Sequence, residues 1–178
     1  MKTLLLLAAL ALPLAAQDAF DFKTLDKLGT NTKNTTSVTL DADTLKMAAG
    51  FLSGKDNADF KTLVDGLKGI YIRTWEFPRK GLYNEADLAP FRAWLKQSKW
   101  NRIVESRQDN QLSEVYLLPQ TGGKLGGVAI VSAEEKQVTV VYINGTLNPE
   151  DIAKLSGNMG IPSLENLKLP EKPKKEED

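Results

Sequence analysis

The sequence predicts an α+β fold: an antiparallel sheet of about five or six strands with helices packed on one face. Three observations predict it. From Arg102 to Asn144, four short β-prone stretches follow one another at hairpin spacing, separated by turn residues. Upstream, several segments place apolar residues at helical spacing. Among them lies Gly69 to Phe77, where Ile70 and Ile72 alternate with Tyr71, Arg73 and Trp75, the period of two that a half-buried strand requires.

The elements follow in order. Met1 to Ala16 is laid out as a secretory signal peptide: Lys2 is the basic start, Leu4 to Leu12 is a Leu/Ala run, and Ala15-Ala16 offers small residues for cleavage. The run is too short for a transmembrane span. Phe20, Phe22, Leu25 and Leu28 suggest a short helix, which the Thr- and Asn-rich segment from Gly29 to Thr36 ends. Ser37 to Leu40 reads as a strand. Asp41 or Asp43 then caps a helix from Thr44 to Leu52, and Asn57 starts another with Phe60, Leu63, Val64 and Leu67 along one face.

After the Gly69 to Phe77 strand, Asn84 or Asp87 caps a helix through Ser98 that carries Leu88, Phe91, Trp94 and Leu95 on one side. The meander is then Arg102 to Arg107, Ser113 to Pro119, Gly126 to Ser132 and Gln137 to Asn144, with turns at Asp109-Asn110, Gly122-Gly123 and Ala133 to Lys136. Asn148-Pro149-Glu150-Asp151 opens a last helix to about Leu155. Residues 17–169 are expected to form one domain, and Pro170 to Asp178, all proline and charge, a disordered tail.

Composition restricts function more than any motif does. The chain contains no cysteine and no histidine, which removes Ser/His/Asp triads, thiol nucleophiles, thiol redox chemistry, most zinc sites and His-ligated haem. Basic and acidic side chains number 23 each, so no global field draws the protein to nucleic acid or an anionic bilayer. No catalytic residue, metal ligand or cofactor is expected. The export signal implies a free mature protein, periplasmic or secreted, with stability that owes nothing to disulfides. No integral membrane span is expected once the signal is removed.

Two patterns invite chemistry and have simpler readings. The Gly122 to Gly127 segment lacks the Walker spacing and joins two strands, so it reads as a hairpin tip. Glu105, Asp109, Glu114 and Glu134 offer carboxylate pairs for glycan hydrolysis, but on a meander such charges belong to the solvated face. Asp41-Ala42-Asp43 likewise suits helix capping better than a cation loop.

The aromatics from Tyr71 to Trp100 concentrate in one part of the chain. Phe91 and Trp94 read as core. Trp75, opposite Ile70 and Ile72 and beside Tyr71 and Arg73, reads as an exposed contact, because Trp, Tyr and Arg are the residues enriched at interface hot spots. Tyr71, Arg73 and Trp75 are therefore the candidate protein-binding residues.

Val38-Thr39-Leu40-Asp41 before Leu45-Lys46-Met47-Ala48-Ala49, then Leu63-Val64-Asp65-Gly66-Leu67-Lys68-Gly69-Ile70-Tyr71-Ile72-Arg73, form a recognisable order. The strand Val140-Val141-Tyr142-Ile143-Asn144-Gly145-Thr146-Leu147 leading to Asp151-Ile152-Ala153-Lys154-Leu155 completes it. On these motifs the chain resembles the DUF4252 family of exported bacterial proteins over most of its mature length. That resemblance implies a bacterial envelope protein with no assigned activity, and a connection to sigma and anti-sigma factor signalling. The expectation is a non-enzymatic periplasmic protein-binding or regulatory module whose partner is an envelope protein. The alternatives are a carboxylate-dependent glycan hydrolase, recognised by two buried carboxyls facing one cleft, and a carrier of a small apolar ligand.

Overall fold

The computed structural model describes residues 19–51 and 58–148; the expected signal segment, the expected helix from Asn148 and the expected charged tail lie outside the described residues, apart from Asn148 itself. Strands β1 (Asn34–Asp41), β2 (Leu67–Glu76), β3 (Asn101–Gln108), β4 (Gln111–Pro119), β5 (Leu125–Glu134) and β6 (Gln137–Leu147) form one sheet. Their order is β1-β2-β6-β5-β4-β3, and every neighbouring pair is antiparallel. The α+β class and the strand number agree with the sequence expectation. Helices α1 (Ala42–Phe51), α2 (Ala58–Gly66) and α3 (Ala89–Gln97) complete the regular structure, with 3-10 segments at Phe22–Gly29 and Glu85–Leu88.

Alternation along β2 and β6 assigns the two faces. Trp75, Val138, Val140 and Tyr142 share a core with Leu25 and Leu28 of the first 3-10 segment and Phe91 and Leu95 of α3. Ile70, Val141 and Ile143 point the other way, into a second core that includes Leu45 of α1 and Val64 of α2. Helices therefore cover both faces, which corrects the expected one-sided packing. The physical cause is visible in β5, where every residue from Leu125 to Val131 is buried. A strand solvated on one face alternates; one covered twice does not.

Local signals account for the element ends. The Asp41 carboxylate accepts from the Thr44 amide at 2.8 Å and starts α1. At Asn84 a reciprocal cap forms: the Asn84 side chain accepts from Ala86 N at 2.8 Å, and Asp87 accepts from Asn84 N at 3.0 Å. The expected Asn84 to Ser98 helix is divided, a 3-10 turn followed by α3, because Pro90 sits at the start of α3 and has no amide to donate. The expected helix near Phe20 to Leu28 is likewise a 3-10 segment, with Leu25 and Leu28 eclipsed on the core side. Hairpin chemistry is as expected, with Asp109 at φ 52° in the β3-β4 turn and Gly122 and Gly123 both at φ 73° between β4 and β5.

Candidate functional site

Of the three predicted binding residues, Tyr71 and Arg73 sit together near the β1 edge and Trp75 does not join them at the surface. Tyr71 is half-buried between the Phe22 ring at 6.1 Å and the Tyr142 ring at 5.5 Å, stacked on both. Arg73 extends over β1: its Nη1 donates to the carbonyls of Val38 at 2.7 Å and Ile72 at 2.9 Å, and its Nη2 donates to Thr39 Oγ1 at 3.0 Å. Its guanidinium also lies 4.8 Å from the Phe22 ring, a cation-π contact. Burial pulls the Arg73 pKa below its ordinary value.

Trp75 is 5% exposed and belongs to the core, a correction of its expected exposure. Residues alternate along β2 as the period of two requires, but the face that Tyr71, Arg73 and Trp75 share is also covered. The Phe22–Gly29 segment and α3 place Leu28 and Phe91 in the same cluster as Trp75. A wide indole in that position contributes core area, not contact area.

The second concentration of functional groups is an ion network that links α3 to the β3-β4 hairpin. At its centre Glu114 is 1% exposed, so its placement on a solvated face is corrected. Arg92 Nε donates to Glu114 Oε2 at 2.8 Å, and Arg102 Nη1 donates to Glu114 Oε1 at 2.9 Å. Arg102 also holds Glu105 at 2.6 Å. Glu85 receives both Nη groups of Arg107 at 3.0 Å, which holds the Glu85 carboxyl below its ordinary pKa. Three arginines thus face three glutamates, and the charges balance.

Beside this network an open, polar groove of about 480 Å³ is lined by Lys80, Tyr83, Glu85, Arg107, Asp109 and Glu135 among others. Glu114 is not part of its wall. Of the carboxylates considered for hydrolysis, Glu105 and Glu114 face guanidinium groups, Asp109 borders the groove, and Glu134 is exposed at the far end of β5. Among the described residues no group of three or more carboxylates is placed to hold a metal ion. No helix among them is long and apolar enough to cross a membrane.

The feature that sequence reasoning missed as an interaction element is β1 itself. It is the edge of the sheet, and Asn34 to Ser37 and Thr39 are exposed along it. The signal was present: Asn34-Thr35-Thr36-Ser37-Val38-Thr39-Leu40 is rich in β-branched residues and contains no charge.

A family model described as "Domain of unknown function (DUF4252)" matches residues 27–155. No curated protein and no solved structure matches the chain.

Proposed function

The chain belongs to the DUF4252 family, and from that premise we propose that it is a non-enzymatic protein-binding or regulatory module of the bacterial envelope, acting in envelope signalling. The observation that carries this reading is the β1 edge. Main-chain donors and acceptors on an edge strand recruit an added strand, with affinity from the backbone and selectivity from neighbouring side chains. Tyr71 and Arg73 stand directly behind that edge, paired in register with Thr39 and Ser37. The hydrolase alternative has less support, since Glu114, the buried carboxylate, meets an arginine on each oxygen. A carrier of apolar ligands has less support too, because the groove beside the network is open and lined by charge.

The test is crosslinking in the native bacterial envelope from a photoreactive side chain at Thr35 in β1, with Gln108 in β3 as control. The Thr35 probe is expected to capture an envelope protein. Binding of that purified protein should then be lost in the Thr39→Lys variant, with its circular dichroism unchanged. Equal capture from both positions, or none from either, would sink the reading.

A further inference from the structure

The sheet has two edges, and they are built differently. Strand β3 has a register shift between Arg102 and Val104 and carries Arg102, Glu105 and Arg107, all devices that block strand addition. Strand β1 has no register shift and carries no charge before its last residue, Asp41. Its pairing with β2 runs from Asn34 to Asp41 without interruption, and no proline or ionisable side chain falls between Asn34 and Leu40. Arg73, on the neighbouring strand β2, is folded back onto Val38 and Thr39 of the same molecule and so does not project past the edge.

Resting on the reading of β1 as a binding edge, we propose that its occupant is a second copy of this chain. The two β1 strands would pair antiparallel about a two-fold axis at Ser37, joining two sheets into one. The sequence is self-complementary in that register. Ser37 meets Ser37 of the second copy, Thr35 meets Thr39, Thr36 meets Val38, and Lys33 meets Asp41. Hydroxyl and β-branched pairs across strands are favourable, and opposite charges close both ends. An isologous contact of this kind is closed, so it gives a dimer and not a filament.

The absence of cysteine makes the test direct, since any disulfide formed by a single introduced thiol must join two molecules. Two Ser37→Cys strands paired at the axis would hold their Cα atoms about 5.5 Å apart, within disulfide reach. Mild oxidation is expected to link Ser37→Cys at least tenfold faster than a Gln108→Cys control, and sedimentation of the unmodified protein should give twice the monomer mass. Ser37→Lys, which sets two like charges side by side at the axis, should sediment as a monomer with unchanged circular dichroism; Thr35→Lys serves if the first variant folds poorly. A monomeric unmodified protein, or equal oxidation of the two cysteine variants, would overturn self-pairing. If the protein is monomeric yet the Thr35 crosslink captures a different protein, the binding-edge reading survives and the dimer does not.

Discussion

Arg92 and Glu114 join helix α3 to strand β4: the Arg92 Nε donates to Glu114 Oε2 at 2.8 Å, beside a core that holds Phe91 and Leu95 of the same helix. The Glu114 side chain is 2% exposed and that of Arg92 25%. Glu114→Gln removes the charge while keeping the shape. Hydrogen bonds to charged groups contribute about 1.5–3 kcal/mol each, and the partial exposure of both arginines reduces that. A loss of about 2 kcal/mol is expected, measured as a lower urea midpoint. Arg107→Ala breaks an exposed pair and should lower the midpoint by less. Equal losses would contradict the assignment of Glu114 as the anchor.

Glu85 titrates below its ordinary value of 4.5 because Arg107 bonds its carboxylate. The unfolded chain takes up a proton at that carboxyl sooner than the folded one as pH falls. The contribution is therefore complete above pH 4.5 and is lost as pH drops through the folded value. Carboxyl NMR should find Glu85 depressed, and Arg107→Ala should return it toward 4.5. An unmoved Glu85 resonance would contradict the bidentate contact.

Tyr142 works at the alkaline end. Burial pushes its phenol from 10.0 up to about 12. An unfolded chain would ionise this tyrosine first, so stability should fall as pH rises above 10.0. Absorbance titration at the phenolate band should show a late component that Tyr142→Phe abolishes. If all tyrosines titrate together near the ordinary value, Tyr142 is not enclosed by Trp94 and Trp100.

Gly127 has no room for a side chain. A Cβ there would sit 2.5 Å from the Ile143 carbonyl and 2.5 Å from Trp100 Cη2, and the carbonyl belongs to the neighbouring strand. Gly127→Ala should destabilise by about 1–3 kcal/mol, typical of overpacking. Gly29→Ala, with nothing within 4 Å of the added atom, is the matched control and should be close to neutral in thermal unfolding.

Much of the fold was legible. The β3 to β6 meander, its turn residues, the Asn84 cap and the alternation of β2 are local properties, and local chemistry decides them. The double coverage of the sheet has a signal in the sequence too, the unbroken apolar runs at Val128 to Val131 and Val140 to Ile143, which suit strands buried on both faces. Trp75 and Glu114 were not legible. Period two tells which residues share a face, and nothing in it tells whether another element lies over that face.

Composition alone limits the chemistry open to this protein, since imidazole and thiol are absent, and local residue preferences set which segments extend and which coil, because they act over a few residues. Which side chains meet water depends instead on contacts between distant segments. Helix α3 and the Phe22–Gly29 segment, distant in the chain, together enclose Trp75, while Arg92 of α3 and Arg102 of β3 converge on Glu114 of β4. The same assembly left β1 at one margin of the sheet, since strand order follows from how the whole chain packs and not from any one stretch of it.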